Sequence, residues 1–230
     1  MRRHGPGRHR ILVIAALLLA AIAGAGWYGR HAILIGVAHV LVAEEPPRPA
    51  EVMVVSIASS KAAPLEAAYL YQQRISARVM LFTWESESID DMIRQLGIAY
   101  PSPTELARMI LIQRGVPAGA IEVLPDLVDG TETEIAAVAA FARQRMPASL
   151  LFITARSHTA RVRWLLRRRI SPSTRFSVTS SRFDNFAVES WWQNRAQSRA
   201  VMSEYLRWGN TLLLGDAWSR RFPSPPNVQK

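Results

Sequence analysis

Apolar residues fall along this chain in two kinds of block. Short runs rich in β-branched residues, EVMVVSIA (51–58), ARVMLFTW (77–84), AIEVL (120–124), SLLFITA (149–155) and TRFSVTS (174–180), have the length and composition of strands buried on both faces. Between them, residues 62–74, 104–115, 131–146 and 157–169 place apolar positions at helical spacing, and a last helix covers roughly 195–214. Thr104 is the expected N-cap of the second helix and Gly115 its stop. Fully apolar strands alternating with helices predict a mainly parallel sheet covered on both faces, an α/β sandwich of three layers. Such sheets bind ligands beyond the carboxyl ends of their strands. The stretches after Ala58, Trp84, Leu124 and Ala155 are therefore the places to look for chemistry.

One apolar block has a different character. Residues 11–29, ILVIAALLLAAIAGAGWYG, carry no charge and follow the basic tail MRRHGPGRHR (1–10). As a helix they span ~28 Å, close to the ~30 Å of a bilayer's hydrocarbon. Trp27 and Tyr28 stand where interfacial aromatics belong, and the arginines lie on the near side. The segment is expected to be a single transmembrane anchor in the cell inner membrane, with a cytoplasmic N-terminus and an extracytoplasmic domain. A cleaved signal peptide is the alternative, because Ala21, Ala23 and Ala25 offer small residues at cleavage spacing. Residues 30–50 read as a membrane-proximal segment, either interfacial or part of the core, ending in the linker Glu44 to Pro49. The α/β domain is expected over 51–214 and a loose tail over 215–230.

Composition narrows the chemistry. The chain has no cysteine, which excludes disulfides, cysteine nucleophiles and thiolate metal sites. Its net charge of +10 invites a nucleic-acid reading, but five arginines precede the first acid, Glu44. Residues 44–230 hold 23 basic residues against 18 acids, so no nucleic-acid partner is expected. No P-loop, GxGxxG or GxSxG motif occurs, and the cofactor, if any, is unknown.

His158 is the only histidine in the domain and the one group suited to acid–base work near neutral pH. It follows a strand and opens a helix, with Arg156 and Arg161 close by in sequence, a grouping able to hold a phosphate or carboxylate. The plain alternative is a capping histidine beside solvated arginines. Thr131 and Glu134 have the spacing of a capping box, which suffices to explain them, and Glu105 is a first-turn acid. Ser59, Ser60 and Lys61 fit a polar loop better than a Ser–Lys nucleophile. Glu85, Glu87, Asp90 and Asp91 read as a solvated acidic loop rather than a cation site. No metal site is expected, since His158 has no partner histidine. Trp191-Trp192 suits core packing, or a membrane-facing or sugar-stacking platform.

Several stretches taken together resemble a known group. VMVV (52–55), AAYLY (67–71), TELARMILIQRGVPAGAIEVL (104–124), DGTETEIAAV (129–138), FITARSHTARVRWLLRR (152–168) and WWQNRAQSRAVMSEYLRW (191–208) look like the YdcF/SanA/ElyC-like envelope domains. The resemblance covers about residues 50–210. It implies a Rossmann-like domain, often on an N-terminal anchor, with a role in envelope integrity, peptidoglycan or its lipid carrier. It further implies an anionic or lipid-linked ligand in one cleft lined by Glu105, Thr131, Glu134, Thr154, His158 and Arg161. In the catalytic version His158 is the acid–base group, Arg161 and Arg163 clamp the anion, and Glu105 and Glu134 are supporting acids. The sequence departs from the family where glycines usually follow the first two strands. Here those stretches read Ser56-Ile57-Ala58-Ser59-Ser60-Lys61 and Phe82-Thr83-Trp84-Glu85-Ser86. A non-catalytic member that binds or scaffolds is therefore the alternative.

Overall fold

The computed structural model describes residues 6–85 and 88–213. Its centre is a five-stranded sheet of β1 (Val52–Val55), β2 (Val79–Trp84), β3 (Ile121–Val128), β4 (Ser149–Thr154) and β5 (Arg175–Ser180). The strands lie in the order β3-β2-β1-β4-β5 and every pairing is parallel. This is the expected α/β architecture, and its order reverses between β1 and β4.

Strand alternation divides the core into two layers. Val52, Val54, Met80, Phe82, Leu150 and Phe152 face α5 (Thr131–Arg145) and α6 (Thr159–Arg169). Met53, Val55, Val79, Leu81, Leu151 and Ile153 face α2 (Ala62–Gln72) and α4 (Pro103–Gln113). Neighbouring residues of one strand point to opposite faces, so an uninterrupted apolar run supplies both layers.

Several expected boundaries move for local reasons. The first strand stops at Val55, because Ser56 caps a 3₁₀ turn over Ile57–Ser59 through a bond from the Ala58 N–H. β3 runs on to Val128 past Pro125, with a register shift opposite Phe82 and Thr83. As an edge strand it tolerates a residue that cannot donate. Ser102, not Thr104, caps α4, and Thr104 instead bridges the Phe82 carbonyl and the Trp84 N–H. The expected acidic loop is in part helix α3 (Ser88–Gln95), with Asp90 and Asp91 in its first turn and Asp91 paired with Arg94. Glu87 lies outside the described residues, as do the tail beyond 213 and the first five residues.

The chain before the sheet is a working part of the domain. Helix α1 (Pro6–His39) leads into it, and α7 (Arg195–Leu213) closes it. No single helix among the described residues is long and apolar enough to cross a membrane. Arg10–Ala21 and Gly26–His39, bent by 47° from one another, meet the length and composition only together. Ala38 and Leu41 are fully buried in a third cluster with Phe186, Val188, Trp191 and Val201. Trp191 Nε1 donates to the Leu34 carbonyl at 2.8 Å and the Tyr205 hydroxyl to Val37 at 2.7 Å. The expected linker is also fixed in place. Glu45 N donates to Val178 on the open edge of β5, and Arg163 pairs with Glu45 at 2.7 Å.

A chain lacking residues 1–43 should therefore lose far more stability than one lacking 1–29. Leu41 alone buries a side chain worth ~1.5–3 kcal/mol, and ~1 kcal/mol corresponds to about 2–4 °C of melting temperature at this size. Thermal melts of the two truncations should differ by at least about 3 °C. Equal melting would mean that the contacts of residues 34–42 contribute nothing.

Candidate functional site

α/β sheets hold their ligands in the crevice beyond the carboxyl ends of the strands where the order reverses, a place that falls here between β1 and β4. β1 exits through Ser56 and Ile57. β4 exits at Thr154 into a 3₁₀ turn over Arg156–His158 that feeds α6. Helix α5, arriving from the β3 side, brings its first turn beneath this exit.

Glu134 lies in that turn and is completely buried. Its Oε1 accepts the Ile57 N–H at 2.6 Å, and its Oε2 lies 3.0 Å from the donating Ser56 hydroxyl. It is not the partner of Thr131 in a capping box. Gly130 is the N-cap, and Thr133 Oγ1 accepts from the Asp129 and Gly130 N–H groups in that role. Burial drives the Glu134 carboxyl up to about 8; the bonds from Ile57 and Ser56 and the charge of Arg161 oppose this, and Glu132 reinforces it. At neutral pH the group is predominantly protonated.

A second buried carboxylate organises the other half of the crevice. Glu204, on the inner face of α7, receives Arg161 Nε at 2.6 Å and Nη2 at 3.3 Å, and His158 Nδ1 makes an ion-pair contact with it. Burial alone would raise this carboxyl, but His158 and Arg161 hold it below its ordinary value. Arg161 also gives Nη2 to Thr131 Oγ1 and Nη1 to Glu132, both at 3.1 Å. Glu132 in turn accepts from Thr211 near the end of α7 at 2.6 Å. α7 thus lies across the first turns of α6 and α5, held at both contacts by side-chain bonds.

The structure brings together four of the residues expected in the cleft, Thr131, Glu134, His158 and Arg161, with Thr154 at the adjoining strand end. The buried Thr154 hydroxyl has no hydrogen-bond partner among the described residues. Glu105 is elsewhere. Its carboxylate completes the capping box of α4 by accepting from Ser102 N, a bond that holds its carboxyl below the ordinary range. Arg163 faces Glu45 outside the cleft. The expectation that Arg161 is free to clamp an anion does not hold as drawn, because four of its N–H bonds go to protein oxygens. Arg156 is likewise engaged, with Glu44 and the Phe186 carbonyl. Trp191 packs in the core.

Sequence reasoning missed Glu204, Glu132 and Ser56. Glu204 carried a faint signal, as an acid on the apolar face of the last helix beside Val201 and Trp208. The open space over Ser56, Ile57, Trp84 and Thr104 is only about 20 Å³, room for one water. His158 Nδ1 lies in ion-pair contact with Glu204 without forming a directed hydrogen bond to it. No family model matches the chain, and no curated protein matches it.

Glu134 dictates a pH dependence. Its carboxyl is raised on folding, so its contribution to stability is complete below about pH 4.5 and is lost as pH rises through about 8. Across that window the native protein should lose roughly 3–5 kcal/mol from this group. Glu134→Gln keeps an acceptor for Ile57 and removes the titrating group, and should flatten that part of the profile. Urea unfolding at stepped pH reads the difference, and an unchanged profile in the variant would show that Glu134 is ionised when folded.

Proposed function

We propose that this chain is a membrane-tethered envelope protein whose α/β domain acts on an anionic or lipid-linked ligand at the carboxyl edge of its sheet. His158 serves as the acid–base group. The observation that carries the reading is the Glu204–His158 pair at the reversal of strand order. A buried carboxylate beside Nδ1 favours the tautomer with its proton on that nitrogen, the arrangement that readies Nε2 for proton transfer. The tether rests on apolar side chains that the domain does not cover. Ile11, Leu12, Leu17, Leu18 and Leu19 are all exposed, between a basic tail and the aromatic pair Trp27 and Tyr28. If the resemblance to YdcF/SanA/ElyC-like domains carries function, the ligand belongs to the upkeep of peptidoglycan or its lipid carrier.

A second reading, a non-catalytic binding or scaffold protein, is favoured by a different observation. The N–H of Ile57, which a glycine-lined loop would offer to a ligand, is taken by Glu134, and Arg161 and Arg163 are paired with carboxylates.

His158→Asn separates the two readings, because the buried amide keeps a donor toward Glu204 where Nδ1 stands and removes the nitrogen that would move a proton. In a strain lacking this protein, the variant should fail to restore envelope integrity while its level and melting temperature stay normal. Full complementation would remove the acid–base role and leave the scaffold.

A further inference from the structure

Helix α7 has two unlike faces. Val201, Glu204, Trp208 and Thr211 recur at helical spacing and turn inward, with Val201, Glu204 and Thr211 buried. On the opposite side Arg195, Arg199, Met202, Leu206 and Leu213 fall on one line along the helix. Met202 is 65% exposed, Leu206 71% and Leu213 85%. The only acid of α7 is Glu204, so the outer face carries arginine and apolar side chains and no negative charge.

This stripe adjoins α1. Tyr205 bonds the Val37 carbonyl, and Ile33 and Val40, one turn to either side of Val37, are 59% and 66% exposed. The patch therefore continues from α7 onto the helix that carries the tether. The reach between tether and domain is also short. His31 stacks on Trp192 at 5.6 Å, three residues after Tyr28, which is about 4.5 Å of helix. A domain joined to the interfacial aromatics by less than one turn is held against the bilayer.

We infer that the outer face of α7, with Ile33 of α1 and Val40 just after it, is a bilayer-contact surface that lies in the headgroup region of an anionic membrane. The inference rests on the reading of residues 11–29 as a membrane tether. Arg195 and Arg199 meet lipid phosphates, and Met202, Leu206 and Leu213 enter the acyl boundary, as on helices that lie in the interface. The inner face of the same helix holds Glu204 against His158, so this orientation brings the crevice beside the headgroups, within reach of a lipid-linked ligand.

The absence of cysteine makes the test direct. Full-length protein with a single cysteine at Met202→Cys or Leu206→Cys is labelled with an environment-sensitive fluorophore. It is then reconstituted into phosphatidylcholine vesicles, with or without phosphatidylglycerol, that carry a lipid-borne quencher. Leu17→Cys reports the tether, and Met146→Cys, exposed just after α5, is the remote control. Probes at 202 and 206 should be quenched several-fold more than at 146, more strongly with phosphatidylglycerol, and Arg195→Glu with Arg199→Glu should abolish that gain. Quenching at 17 with 202 and 206 no different from 146 overturns the inference and leaves the tether standing. No quenching at 17 overturns the tether and the inference together. A blue shift at 202 without lipid quenching means that protein covers the stripe, a second copy or residues 214–230, and also overturns it.

Discussion

The burial of the Glu204 carboxylate is the constraint on which the rest of the carboxyl edge depends. A charged carboxylate without water is tolerable only when charged or N–H partners answer both oxygens. Arg161 of α6 bonds both, His158 of the preceding 3₁₀ turn adds an ion-pair contact, and Arg161 passes the connection on to Thr131 and Glu132 of α5. Through that one group the last helix of the chain is registered against two helices that precede it by 26 residues or more. Helix α1 inherits the same registration, since Val37 and Leu34 hang from Tyr205 and from Trp191 just ahead of α7.

Much of the sheet was legible in the sequence because its signal is local. Runs such as VMVV and SLLFIT declare buried strands by composition, and their alternation with helices implies parallel order. What escaped was set by partners distant in the chain. Thr104 looks like an N-cap, yet it is drawn to the β2 exit while Ser102 caps the helix. Thr131 and Glu134 have capping-box spacing, but Glu134 is pulled 77 residues away to Ile57. His158 stood out because histidine is rare here, whereas Glu204 did not, since one acid in a helix has no pattern of its own. Arg161 was legible as a site residue, but its saturation by carboxylates was not.

The exit of β1 shows how a loop can be closed without glycine. Ser56 caps the turn that follows, Ile57 gives its N–H to Glu134, and the buried carboxyl meets this demand as a largely neutral group. A third buried carboxylate, Glu66 on α2, is answered by the Arg182 N–H and guanidinium on the opposite layer. The two exits at the strand reversal thus differ in kind. The β1 side is closed by a neutral acid, whereas the β4 side is built on an ionised one held by Arg161 and beside His158.

The most direct test of Glu204 as the organising group is a double-mutant cycle with Arg161, read by urea unfolding of the full-length chain in detergent. Arg161→Met leaves a buried carboxylate with one partner, and Glu204→Leu leaves a buried guanidinium short of its main one. Each should lose roughly 3–5 kcal/mol, and the double variant should lose little more than either single change. Losses that simply add would contradict the account, because they would mean that the two groups stabilise the edge independently.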